Sequence, residues 1–236
     1  MKRPLATRKT GQGETSGRVD EVVAWIRRTG TKKTRDGMAR YAIPSDKAFG
    51  VPMSVMRDQA KKLGKDHALA LGLWETGWYE ARMMAALLGD PELVTPAQMD
   101  KWCRQFEDWA ICDTVCFFLF DKTPYAFRKI RQWSKLQAEF PKRGAFALLA
   151  SVALHNKAAE DREFLECLPL VEAGAQDDRN FVKKGVSWAL RAIATRNSNL
   201  KAAATELAQR LAESPKAAPR WVGKDALREF SRKKKG

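Results

Sequence analysis

The segment KRGAFALLASVALHN (142–156) lies without a gap over KKGVSWALRAIATRN (183–197), at an offset of 41. Lys142 matches Lys183, Arg143 matches Lys184, Gly144 matches Gly185, Leu149 matches Leu190, Ala153 matches Ala194 and Asn156 matches Asn197. An offset near 41 falls in the range of two-helix HEAT-type units. Each such unit buries only part of its apolar surface and must stack on a neighbour. The reading is therefore all-α: a curved superhelical stack of HEAT-like antiparallel helix pairs, with the inner helix of each pair lining a concave face. A helical bundle that contains one duplicated helix is the competing arrangement.

The sequence on either side is punctuated in the same way. β-Branched alternation never persists, and helix starts recur. Thr95 is placed as an N-cap with Pro96 at the first helical position, and Thr123 with Pro124 repeats the device. Pro52 falls near a start and Gly64 near a stop. Further helical patterns cover about 19–28, 66–75, 78–88, 109–120, 141–155, 161–172, 179–195, 198–213 and 219–231. The expected organisation is a disordered basic tail over 1–17, one repeat domain over 18–228 and a basic tail over 229–236.

The chain of 236 residues carries a formal charge of +15. The first seventeen residues supply +3 and the last nine +4, so the body still holds +8. A basic folded body points to a polyanion, most often nucleic acid. No run reaches the ~18 apolar residues of a membrane span, and the N-terminus lacks the apolar core of a secretory signal. The expected location is the cytoplasm. Cys103, Cys112, Cys116 and Cys167 form no CxxC pair, and His67 and His155 are the two histidines. Buried free thiols are expected, with no metal and no cofactor.

One acid stands out. Asp113 lies inside WAICDTVCFFLF (109–120), an apolar helical run, and Asp108 already occupies the expected N-cap. A carboxylate there is paired, hydrogen-bonded or exposed to a cleft. The structural options are an arginine on the next repeat or a hydrogen bond from a loop. The chemical option follows from Trp109, one turn earlier on the same face. Cleavage of an N-glycosidic bond leaves oxocarbenium character on the sugar, which a carboxylate stabilises. An aromatic face beside the sugar tolerates that charge. A purine alkylated at N3 or N7 is already cationic and needs no general acid, so one carboxylate suffices. Within the duplicated helix, Trp188 stands where the first copy has Ala147. Lys183, Lys184 and Arg191 on the same helix are candidates for phosphate contacts.

These residues resemble the DNA alkylation repair glycosylases of the AlkD type, which are HEAT-like repeat proteins. The resemblance runs from about Phe49 to Phe230. It is carried by LALGLWETGWYEARMMAALLGDP (69–91), MDKWCRQFEDWAICD (99–113), FPKRGAFALLASVALHNK (140–157) and DDRNFVKKGVSWALRAI (177–193). It implies that Asp113 is the catalytic aspartate, that Trp109 and Trp188 hold the deoxyribose of the damaged nucleotide, and that Arg143 meets the DNA backbone. It also implies excision without base flipping, on double-stranded DNA containing alkylated bases, by a monomer. Some relatives of this fold bind unusual DNA structures and excise little. A non-catalytic repeat protein for distorted or branched DNA is thus the alternative, and a HEAT module for acidic proteins a third reading. Trp74 and Trp78 read as packing, and Glu75 and Glu80 as surface partners of Arg82.

Overall fold

The structure is a computed structural model that describes residues 10–232, with side chains from residue 13. Every regular element among the described residues is helical. The chain divides into two compact units that part between Leu93 and Val94, where the sequence suggests one domain.

The first unit holds α1 (Thr10–Thr29), α2 (Lys32–Gly37), α3 (Met53–Leu63), α4 (His67–Glu75) and α5 (Tyr79–Leu88). Residues 10–17, expected as part of a disordered tail, begin α1, and residues 1–9 lie outside the described residues. Pro52 is the N-cap of α3 and Gly64 its C-cap, with φ at 74°. That left-handed region favours glycine. Trp74 is fully buried with the Arg82 guanidinium over its ring, and Trp78 packs on Phe49 with ring centroids 4.4 Å apart. Both tryptophans therefore pack, as the sequence suggests. Glu80 corrects the expectation of a surface ion pair. It is fully buried, and its carboxylate accepts the backbone N–H groups of Phe49, Gly50 and Val51. The three backbone donors replace the water that its buried oxygens lose.

The second unit holds α6 (Pro96–Arg104), α7 (Trp109–Phe118), α8 (Ala126–Trp133), α9 (Glu139–His155), α10 (Asp161–Gly174), α11 (Asn180–Ala194), α12 (Ser198–Ala212) and α13 (Ala217–Ser231). The packing is layered. α7 lies on α9, α9 on α11 and α11 on α13, while α10 packs against both α8 and α12. One layer is thus α7, α9, α11 and α13, and the other α8, α10 and α12. This is the alternation that a stack of helix pairs produces. The duplicated segments form α9 and α11, which are direct neighbours within the first layer. In α11, Val182, Val186, Ala189, Leu190 and Ile193 are buried at helical spacing. Each large aliphatic among them stabilises by about 1.5–3 kcal/mol.

The repeat preserves local devices as well as apolar positions. A Cβ at Gly144 would lie 3.6 Å from Cys112 Sγ of α7, and one at Gly185 would lie 3.6 Å from the Arg143 carbonyl oxygen of α9. Both are ordinary contact distances, and the tight neighbour is the Phe106 ring, 3.1 Å from a Cβ at Gly144. Asn156 Oδ1 accepts the Ala159 N–H, and Asn197 Oδ1 accepts the Leu200 N–H. The Thr95 cap of α6 is present, its side chain accepting from the Gln98 N–H. Thr123 is not a cap. Its hydroxyl donates to the Phe120 carbonyl, and α8 begins only after Tyr125. All four cysteines are buried and free. Among the described residues, no helix is long and apolar enough to cross a membrane.

Candidate active site

Asp108 caps α7, its carboxylate accepting the N–H groups of Ala110 at 2.7 Å and Ile111 at 2.9 Å. With that end secured, Asp113 falls one turn inside the helix, between the buried residues Cys112 and Thr114. Its partner comes from the next helix of the layer. Arg143 Nε donates to Asp113 Oδ1 at 2.9 Å and Nη2 donates to Oδ2 at 2.7 Å. The remaining terminal nitrogen, Nη1, donates to the Phe181 carbonyl of α11 at 2.6 Å. One arginine on α9 therefore joins α7 to α11. The arginine pairing weighed from the sequence is realised.

Burial pushes the Asp113 carboxyl above its ordinary value, against the charge and hydrogen bonds of Arg143. Burial would also depress Arg143, but the Asp113 charge and hydrogen bonds carry it above its ordinary value. Both carboxylate oxygens accept from one guanidinium, a geometry that favours the ionised pair over the neutral acid.

Asp113 is not sealed. Its side chain retains 19% of its exposure and lines an opening of about 430 Å³. The other walls are Arg143 of α9, Lys184, Trp188 and Arg191 of α11, and Trp221 and Asp225 of α13. Every lining residue comes from the layer formed by α7, α9, α11 and α13. Trp188 and Arg191 also border a second opening of about 860 Å³, whose far wall includes Lys201, Phe230 and Arg232.

The residues singled out in the sequence are thus only partly brought together. Asp113, Arg143, Lys184, Trp188 and Arg191 meet at one opening. Trp109 is half-buried at the first turn of α7, outside that lining. Lys183 instead places its ammonium over the Trp221 ring, 5.4 Å from the centroid. Arg143, expected at the DNA backbone, is buried with its guanidinium committed to Asp113 and Phe181.

Sequence reasoning missed several participants. Phe117 lies one turn beyond Asp113 and stacks on Trp188, with centroids 6.5 Å apart and planes at 23°. His155 sets its ring edgewise against Phe117 at 4.2 Å and bonds through Nδ1 to the buried Asp121. The spacing 109, 113, 117 on one helical face is the signal that was available for Phe117. The cleft also holds two carboxylates where one was expected. Asp225 Oδ2 accepts from Ser187 Oγ at 2.6 Å and lies 3.7 Å from Arg191 Nε.

The profile of the family described as "DNA alkylation repair enzyme" matches residues 23–230. A solved structure described as a new family of proteins related to the HEAT-like repeat DNA glycosylases, with affinity for branched DNA structures, superposes with a TM-score of 0.74. Its identity is 18%, over 89% of this chain and 94% of that one. That likeness establishes a HEAT-like repeat fold. A designed armadillo repeat protein aligns at a TM-score of 0.34, with 15% identity over 76% of this chain and 93% of that one. Among curated proteins, none matches the chain.

Proposed function

Because the chain belongs to the DNA alkylation repair enzyme family, we propose that it is a DNA glycosylase for cationic N3- and N7-alkylated purines in duplex DNA. It acts as a monomer, without a cofactor and without flipping the base, on the DNA of the bacterial nucleoid. One observation carries this reading. A carboxylate and a tryptophan from different helices, Asp113 and Trp188, line one opening together with Lys184 and Arg191.

The chemistry follows from the charge of the lesion. The alkylated base leaves as a neutral molecule, so positive charge develops on the sugar alone. The Asp113 carboxylate stabilises that charge in a partly desolvated cleft, where electrostatic interactions are stronger than in water. The Trp188 face flanks the deoxyribose, and Phe117 stacked behind it fixes the plane of its ring. Trp109 serves as a further sugar contact at the edge of the cleft. Lys183, Lys184 and Arg191 hold phosphates. Arg143 orients Asp113 and does not reach for the backbone. Asp113→Asn is expected to slow release of 7-methylguanine by about 10²–10³-fold while leaving duplex affinity within a fewfold of the parent. A variant that excises at the parental rate would remove Asp113 from the mechanism.

The bidentate pairing of Asp113 favours a second reading, a protein that binds branched DNA and does not excise. Asp113 would then tie α7 to α9. The structurally similar protein with affinity for branched DNA agrees with this reading. Parent protein that releases no base from methylated duplex, yet binds a four-way junction more tightly than a duplex of equal length, would select it.

A further inference from the structure

The W-x-x-x-D element of α7 occurs a second time in this unit. WAICD (109–113) sets Trp109 one turn before Asp113, and WVGKD (221–225) sets Trp221 one turn before Asp225 in α13. Asp225 lies well inside its helix, where no cap requires an acid. Trp221 and Asp225 line the same opening as Asp113 and Trp188. The Asp225 side chain is 15% exposed, close to the accessibility of Asp113.

The two carboxylates differ in how their charge is offset. Asp113 faces a guanidinium that is 8% exposed and bonded to both of its oxygens. Asp225 is paired with Arg228, whose side chain is 70% exposed, and with Arg191 at 3.7 Å. An exposed partner offsets a charge less than a desolvated one does. Asp225 is thus held by arginines that solvent reaches, beside the opening, rather than by a buried two-bond clamp. Its orientation is set by the fully buried Ser187, whose hydroxyl donates to Oδ2.

We propose that Asp225 is a second catalytic carboxylate of this cleft, the base that receives a proton from the attacking water, with Trp221 as the aromatic wall beside it. This rests on the glycosylase reading above. The C1′–N bond breaks and its electron pair leaves with the purine, neutralising the charge of the alkylated base. The water oxygen bonds to C1′, and its proton passes to Asp225 and then to solvent. Asp113 stabilises the sugar cation throughout. Ser187 is a positioning residue.

The test compares parent, Asp113→Asn, Asp225→Asn, Asp225→Glu and Ser187→Ala in single-turnover release of 7-methylguanine, with duplex affinity and thermal melts on each. Asp225→Asn keeps an acceptor for Ser187 and is expected to slow release about 100-fold or more, with duplex affinity nearly unchanged. Asp225→Glu retains the base and should release faster than Asp225→Asn. Ser187→Ala keeps the carboxylate but removes the hydroxyl that orients it, and should slow release by less than Asp225→Asn does. An active parent matched by an equally fast Asp225→Asn overturns the assignment and leaves the glycosylase reading standing. Equal loss in Asp225→Asn and Ser187→Ala, with matching falls in melting temperature, also overturns it, since Asp225 would then only tie α11 to α13. A folded Asp225→Glu that releases no base has the same consequence. An inactive parent removes the glycosylase reading and this inference together.

Discussion

Arg143 joins three helices through one guanidinium, two bonds to Asp113 on α7 and one to the Phe181 carbonyl on α11. Removing it leaves a carboxylate buried without its counter-charge, the case in which breaking an ion pair costs most. Arg143→Ala is expected to lower unfolding free energy by about 3–5 kcal/mol, measured by urea titration. Arg143→Lys, a single-point donor, should recover only part of that. A loss below about 1 kcal/mol would mean that the pair behaves as an exposed one. Asp113 was conspicuous in the sequence because an acid within an apolar run contradicts its neighbourhood. Its partner was not, because the pairing depends on the register of α9 against α7. Glu80 was misread for a related reason. Its donors are backbone N–H groups of residues 49–51, which leave no trace in side-chain identity.

The turn before α11 is organised by Asp177. It accepts two bonds from the Arg179 guanidinium, one from the Arg179 backbone N–H and one from Lys142 of α9, which ties the two copies of the repeat at their N-terminal ends. The Arg179 hydrogen bonds, with help from Lys142, hold its carboxyl well below the usual carboxylate range. A depressed folded-state value means stability that is fully present above the unfolded value of about 4 and is lost as the pH falls through the folded value. Asp177→Asn should therefore melt several degrees below the parent at pH 7. The gap should narrow steadily below about pH 4. A gap independent of pH in thermal melts would refute the electrostatic origin. At this scale the sequence was informative where signals are local. The Thr95 and Asp108 caps bond within three residues, and both are present. Thr123 failed because its hydroxyl turns back to Phe120, a choice between two nearby backbone partners that composition does not decide.

Across the whole chain, the formal charge of +15 makes any DNA complex sensitive to ionic strength, to a degree set by how many phosphates are contacted. Affinity should fall steeply with salt, and each phosphate-contacting cation removed should reduce the log–log slope by about 1. Lys184→Ala and Arg191→Ala are expected to do this in fluorescence-anisotropy titrations on duplexes of unrelated sequence. Unchanged slopes would move the DNA footprint away from the cleft. The helical repeat architecture was readable because duplication leaves a periodic imprint. The division at Leu93 was not, since no Gly- or Ser-rich linker marks it. The same duplication lets one register position serve two ends. In α9, Ala147 is fully buried, whereas its counterpart in α11, Trp188, faces both openings. One position of the repeat is thus used for packing in the first copy and left open to a ligand in the second, while the buried positions around it keep both helices in the stack.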